Sequence, residues 1–277
     1  MGTIKKCLFP VAGYGTRFLP VTKAVPKEML PLVNKPLIQY GVEEAVGADL
    51  REIAFVTGRN KRAIEDYFDV SHPLEPEIAG TDKEKPLIEL HQLIGQCTFS
   101  YTRQHQMRGL GAAILAGEPL IGHRVFGVVL ADHLCVTEGT SVLEGMVSVF
   151  EARRCTIVAL VEVDRKDTGK YGIIAGEVGR DGLINIQDMV EKPAPDEAPS
   201  TYAILGRYIL TPDIFPVLHE TPPGPDGELQ LTDALRKQAQ RGGVLGYVYR
   251  GRSFDCGSVE GFMEATKYLS ACQHKTT

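Results

Sequence analysis

No apolar run in this 277-residue chain approaches the length of a membrane span, and Met1 to Lys6 is too short and polar to read as a signal peptide. The expectation is a cytoplasmic protein that meets no membrane. A basic excess is missing too. The formal net charge of −5 argues against bulk nucleic-acid binding, which wants a net basic surface. No C-x-x-C pair occurs among the six scattered cysteines, Cys7, Cys97, Cys135, Cys155, Cys256 and Cys272. Most fall in apolar strand-like runs, where a free thiol packs as a small hydrophobe, so neither a disulfide framework nor a thiolate metal site is expected. Internal repeats and low-complexity tracts are absent, and nothing suggests an independent second domain. What is present, 43% hydrophobic and 23% charged residues, is enough for a sizeable core.

Strand-like apolar runs at 6–11, 53–57, 98–103, 125–130 and 156–163 alternate with helical patterns near 37–46, 61–68, 110–117 and 141–153. This alternation predicts a mainly parallel sheet covered by helices on both faces. Continuous apolar strands such as Phe126-Gly127-Val128-Val129-Leu130 agree, because central parallel strands are buried on both sides. Segment 71–86, with three prolines, reads as a long loop leading to a helix at 87–94. After Asp164 the strands shorten. Those at 172–178 and 183–190 flank Gly179-Arg180-Asp181-Gly182, whose Asp-Gly is a hairpin signal. A loop at 192–200, a strand at 201–210, a short helix within 211–219, a helix at 229–239, a strand at 244–249 and a helix at 259–271 complete the pattern. The expected fold is α/β and Rossmann-like: a mixed, mainly parallel sheet flanked by helices, with a small antiparallel β insertion in the C-terminal half.

The most informative stretch follows the first strand. Ala12-Gly13-Tyr14-Gly15-Thr16-Arg17 is a turn with two glycines and an arginine, and Lys23 and Lys27 follow closely. Glycines after a strand let backbone N–H groups approach a polyanion. Arg17 can fork onto phosphate oxygens, and Lys27 can act as a mobile point charge. Two familiar phosphate motifs do not fit. Phe18 stands where a dinucleotide fingerprint needs its third glycine, Thr57-Gly58-Arg59 where it needs an acid, and no Gly-Lys-Ser/Thr occurs.

Asp132, in Ala131-Asp132-His133, closes the 125–130 strand, and ligands of parallel sheets gather at the carboxyl ends of strands. A carboxylate there suits Mg²⁺, although a helix N-cap or turn residue is the alternative. Asp255 closes another apolar segment and could equally cap the helix beginning near Ser258. Glu191 and Lys192, adjacent in an extended segment, are expected to point to opposite faces and do different jobs.

The string from Gly13 to Pro31 resembles, residue for residue, the G-x-G-T-R-x-x-P…P-K-E-x-L-P signature of the sugar-1-phosphate nucleotidylyltransferases. Pro26 and Glu28 are most similar to those of the bacterial UTP–glucose-1-phosphate uridylyltransferases (UDP-glucose pyrophosphorylases); dTTP-using relatives usually carry S-K-Q. Five further blocks in order extend the resemblance over nearly the whole chain. It implies that Ala12, Gly13, Gly15 and Thr16 bind the nucleotide, with Gln104 and Gly109 on the base, where a glutamine's donor and acceptor complement a pyrimidine edge. It implies that Arg17 and Lys27 hold the departing pyrophosphate, Lys192 the sugar phosphate, Glu191 the sugar hydroxyls, and that Gly206 lets the sugar approach the backbone. Asp132 and Asp255 are implied as Mg²⁺ ligands. Arg108 and Ala112 stand where relatives often have lysine and histidine, which leaves contacts there open. His133 also departs from common members and either tunes the metal or lies beside it. Lys170 reaches the phosphates or is a solvated loop lysine. Glu228 and Asp233, in Gly227-Glu228-Leu229-Gln230-Leu231-Thr232-Asp233, bind sugar hydroxyls or cap a helix.

The implied reaction is Mg²⁺-dependent transfer of the uridylyl group from UTP to α-D-glucose 1-phosphate, giving UDP-glucose and pyrophosphate. The resemblance implies one nucleotidyltransferase domain over 1–277, with 1–163 mainly the nucleotide half and 164–277 mainly the sugar-phosphate half. It also implies a homo-oligomer, dimer or tetramer. The same chemistry with dTTP is the nearest alternative. A non-catalytic sugar-nucleotide-binding protein on the same fold is another, but such a module has no need of the full charge set of Arg17, Lys27, Asp132, Lys192 and Asp255.

Overall fold

The computed structural model describes residues 3–69, 74–224 and 226–273. Its strands are β1 (Lys6–Pro10), β2 (Pro31–Leu32), β3 (Lys35–Pro36), β4 (Glu52–Thr57), β5 (Thr98–Arg103), β6 (Phe126–Val129) and β7 (His133–Val136). They continue with β8 (Thr156–Glu162), β9 (Gly172–Val178), β10 (Ile184–Glu191), β11 (Tyr202–Leu210), β12 (Val244–Val248) and β13 (Arg252–Asp255). The helices are α1 (Leu37–Gly47), α2 (Arg62–Tyr67), α3 (Glu75–Ile78), α4 (Lys85–Ile94), α5 (Leu110–Ile121), α6 (Val142–Arg153), α7 (Ile214–His219), α8 (Leu231–Ala239) and α9 (Val259–Gln273). Among the described residues, no helix is long and apolar enough to cross a membrane.

One nine-stranded sheet runs in the order β5-β4-β1-β6-β11-β8-β12-β10-β9. Seven of its strands point the same way; β11 and β10 run against them. The alternation of side chains along a strand explains why both faces are apolar. On β1, Leu8 joins one core cluster while Cys7 and Phe9 join the other, and on β4 Ala54 and Val56 oppose Ile53 and Phe55. Helices α5, α7 and α8 cover the first face, through residues such as Ile114, Phe215 and Leu235. Helices α1 and α6 cover the second with Ile38, Val42, Met146 and Phe150. The β9–β10 hairpin is the antiparallel element expected in the C-terminal half. It continues the main sheet beside β12, and β9 also folds back to pair with β11 at Ala203 and Ile173.

The expected loop at 71–86 departs from the pattern: it holds the short helix α3, and α4 begins at Lys85, with a proline in its first turn where a missing N–H costs nothing. Residues 71–73 of that loop lie outside the described residues. A small antiparallel pair, β7 with β13, was also not expected. Four residues each gave no alternation long enough to read. This pair matters, because its register sets Asp255 opposite His133.

Candidate active site

The site is built at the carboxyl ends of the parallel strands. As β1 ends, Val11 N donates to Val56 O at 2.9 Å, and the chain then breaks into three 3₁₀ turns, Thr16–Phe18, Val21–Lys23 and Lys27–Met29. Gly15 adopts φ +70°, a left-handed conformation open to glycine without the Cβ penalty. Its carbonyl accepts from the Thr22 hydroxyl at 2.8 Å and from Phe18 N–H at 3.0 Å. A Cβ added at Gly15 would meet Lys27 Cβ at 3.0 Å, so the loop closes directly onto Lys27. Lys27 Nζ lies 3.9 Å from the corresponding point on Gly13. Thr16 and Arg17 are exposed, and Ala12 is buried beneath them against Gly58.

Lys27 donates to Asp132 Oδ2 at 2.6 Å, with about a fifth of each side chain accessible. Burial works against the Asp132 charge, but the Lys27 ammonium, aided by His133, outweighs it and holds the carboxyl well below the usual range. Burial works against Lys27 too, yet Asp132 and Glu28 more than offset it and raise its pKa above the ordinary lysine value. Asp132 sits in a turn closed by His133 N–H donating to Leu130 O at 3.2 Å, so it caps no helix. Asp255 arrives through β13. Its Oδ1 accepts from Gly257 N–H at 3.0 Å, while the α9 cap falls to Ser258, whose hydroxyl accepts from Gly261 N–H. Asp132 Oδ2 and Asp255 Oδ1 each lie 3.0 Å from the point a Gly257 Cβ would occupy, so at most 6.0 Å separates them. Arg17 Nη1 stands 3.9 Å from Asp255 Oδ2.

Among the described residues no group of three or more His, Cys, Asp and Glu could hold a metal ion. The two aspartates offer a pair instead. That donor set fits Mg²⁺, which binds through one or two carboxylates, keeps waters and takes its remaining oxygens from substrate phosphates. His133 lies beside them. Its Nδ1 is 2.7 Å from Leu205 O, and its Nε2 is 3.7 Å from Asp255 Oδ1.

A cleft of about 910 Å³ is lined by Arg17, Asp132, Asp255, Glu191, Lys192 and Gly206, together with Tyr171 and Thr232. Glu191 and Lys192 correct the expectation of opposite faces. Lys192 is left-handed at φ +46°, not extended, which turns its side chain back so that Nζ lies 3.4 Å from Glu191 Oε1. A non-glycine residue rarely holds this conformation, and such outliers cluster at functional sites. Glu191 Oε2 accepts from the Thr232 hydroxyl at 2.7 Å, and Thr232 lines the cleft beside Gln230 and Leu231 of the same motif. Asp233 lies in the first turn of α8 and Glu228 pairs with Gln230. Gly206, at φ +76° in a β11 irregularity, faces His133 and Leu130 at 3.1 Å from its would-be Cβ. Lys170 lines the same cleft but is engaged with Asp167 at 2.7 Å.

Gln104 lies in a second pocket of about 460 Å³, with Tyr14, Pro26, Lys61 and Arg103. Its backbone N–H donates to Thr57 O at 2.9 Å and its Nε2 to Gly109 O at 3.4 Å. Gly109, at φ +91°, leaves no room for a side chain: a Cβ would meet Leu229 O at 2.7 Å. Leu110, the next residue, lines the larger cleft, so the two pockets adjoin.

One feature had no sequence signal. Lys61 donates to Glu28 Oε2 at 2.6 Å, with the side chains only 5% and 2% exposed. Burial raises the Glu28 pKa and lowers that of Lys61, since each charge is removed from water, and the pairing opposes both shifts. The pair fixes the turn carrying Lys27 to the segment before α2.

Comparison with known proteins gives the family. The family model described as nucleotidyl transferase matches residues 10–271. A UTP–glucose-1-phosphate uridylyltransferase of Pseudomonas aeruginosa is 62% identical over 99% of this chain and 98% of its own length. A crystal structure of apo UDP-glucose pyrophosphorylase superimposes with a TM-score of 0.94 at 55% identity, covering 98% of this chain and 99% of the other. A UDP-glucose pyrophosphorylase complexed with UDP-glucose gives a TM-score of 0.91 at 54% identity, covering 97% and 99%. With the family matched from end to end and identity above half, the chain belongs to the nucleotidyl transferase family and is an enzyme of its UTP–glucose-1-phosphate uridylyltransferase group.

Proposed function

We propose that this protein, a single nucleotidyltransferase domain acting in the cytoplasm as a homo-oligomer, transfers the uridylyl group of UTP to α-D-glucose 1-phosphate. A phosphate oxygen of the sugar phosphate attacks the α-phosphorus of UTP in line. The new P–O bond forms as the bond to the bridging oxygen breaks, and pyrophosphate leaves with that electron pair. The nucleophile is already anionic, so no general base is needed. The work is alignment of two anions and neutralisation of charge.

The observation that carries this reading is one cleft holding Arg17, Asp132, Asp255, Glu191 and Lys192, adjoining a pocket that holds Gln104. Gln104 and Gly109 receive the base over Ala12 and Gly13, with Gly15 and Thr16 beside the phosphates. Arg17 and Lys27 hold the leaving pyrophosphate, which requires Lys27 to exchange Asp132 for a phosphate oxygen. Lys192 steers the nucleophile, Glu191 takes sugar hydroxyls, and Gly206 leaves room for the ring. Asp132 and Asp255 would hold Mg²⁺, which supplies charge neutralisation at the phosphates when bound. The complexed relative, which binds UDP-glucose by its description, supports the same product.

The test is pyrophosphate release from UTP, dTTP, ATP or CTP with glucose 1-phosphate, with and without Mg²⁺. Strong Mg²⁺-dependent release with UTP is expected, with some release from dTTP, since one methyl supports only about ten- to two-hundredfold selectivity. Preference for dTTP overturns the base assignment, and no release from folded protein overturns the reaction.

A further inference from the structure

Arg207 is the largest fully buried side chain among the described residues, 1% exposed on β11. A guanidinium in that position needs partners for all its N–H groups. Glu44, on α1, supplies one carboxylate: Arg207 Nε donates to it at 3.1 and 3.2 Å and Nη2 at 2.9 Å. The remaining donors go to main-chain carbonyls. Nη1 reaches Leu130 O at 3.0 Å and Gly206 O at 3.3 Å, and Nη2 reaches His133 O at 2.9 Å.

Those carbonyls are not scattered. Leu130 and His133 are the first and last residues of the turn that carries Asp132, closed by His133 N–H on Leu130 O. Leu130 N–H donates in turn to Gly206 O at 2.9 Å, and His133 Nδ1 lies 2.7 Å from Leu205 O. The turn is thus joined to the irregular stretch of β11 around Gly206, with the guanidinium beneath both. A buried ion pair is weak evidence for a stabilising role, because a well-packed apolar pair of similar volume is often as stable or more so. Fixing several carbonyls at once requires a planar fork of donors, which an apolar pair lacks.

We propose that Arg207, held by Glu44, is a positioning residue that splints the 130–133 turn, fixing the Asp132 carboxylate and the Gly206 backbone relative to each other. The inference rests on the function proposed above, in which Asp132 faces the reacting phosphates and Gly206 the sugar. It predicts that the splint governs turnover more than UTP binding, because Gln104, Arg17 and the glycine loop lie on other segments.

The test uses the full chain with Arg207→Met combined with Glu44→Leu, which removes the pair without stranding a charge, and separately Arg207→Lys, which keeps a charge opposite Glu44 but loses the fork. Three quantities are read: melting temperature, kcat and KM for UTP in pyrophosphate release, and hydrogen exchange of the backbone amides at 130–133. The expected result is melting within a few degrees of wild type, kcat lower by about tenfold or more, KM for UTP within threefold, and exchange at the turn at least tenfold faster. Wild-type kcat in either folded variant overturns the proposal, and so does unchanged exchange at the turn. Loss of kcat only alongside a collapse in melting temperature in both variants also overturns it, by assigning Arg207 to stability alone. If wild type releases no pyrophosphate from UTP and glucose 1-phosphate, the proposed function has failed, and the exchange measurement still decides the splint.

Discussion

Replacing Lys61 by methionine leaves Glu28 buried without its partner. The two side chains are 5% and 2% exposed and meet at 2.6 Å. Removing one member of such a pair costs about 3–5 kcal/mol, because the remaining charge is stranded away from water. At about 2–4 °C per kcal/mol for a chain of this size, melting should fall by about 6–20 °C near neutral pH. The pH dependence has a definite sign. Burial raises the Glu28 pKa above its unfolded value even with Lys61 and Lys27 opposing it. A raised folded pKa contributes stability below the unfolded pKa that is lost as pH rises through the folded one. Without Lys61 one opposing pull is gone and the pKa rises further, so the deficit of Lys61→Met should shrink between pH 7.5 and pH 5.5. Adding Glu28→Gln removes the titrating group, and should recover much of the stability and flatten the difference. Melting followed by circular dichroism at both pH values reads this directly. A variant melting within about 2 °C of wild type, or with the same deficit at both pH values, refutes the reasoning.

Three further substitutions probe the cleft. Lys27→Met should lower turnover about 100- to 1000-fold while the protein stays folded, because the proposed reaction needs that charge on the leaving pyrophosphate; pyrophosphate release at saturating substrates checks it. Gly15→Ala should lose stability and turnover together in urea unfolding and activity assays, since a non-glycine residue at φ +70° costs about 1–2 kcal/mol and its Cβ would press on Lys27 at 3.0 Å. Thr232→Val keeps the shape but removes the 2.7 Å hydrogen bond to Glu191. A hydrogen bond to a charged group contributes about 1.5–3 kcal/mol, so KM for the sugar phosphate should rise about tenfold or more while KM for UTP stays put.

Much of the frame was legible because it rests on local pattern. The runs that became β1, β4, β6 and β8 are apolar through their interiors, since each lies inside the sheet and is buried on both faces, and their ends were readable to within a residue or two. Gly15 could be singled out in advance because a left-handed turn leaves a compositional trace. The β7–β13 pair left none: each strand is four residues long and makes sense only against the other. Lys192 misled for a related reason. Glu-Lys-Pro reads as extended, but the backbone turns left-handed at Lys192 and brings both side chains into one cleft.

The chain's own order of residues determined the glycine-rich loop, the alternation of strand and helix, and which acids and bases are at hand near strand ends, because backbone conformation and burial on a sheet act over a few residues at a time. Which of those charges meet was decided only by the tertiary structure. Asp132 and Asp255, Lys61 and Glu28, Arg207 and Glu44 are far apart along the chain, and Coulomb forces between them depend on distance in space and on loss of water. The folded sheet sets both.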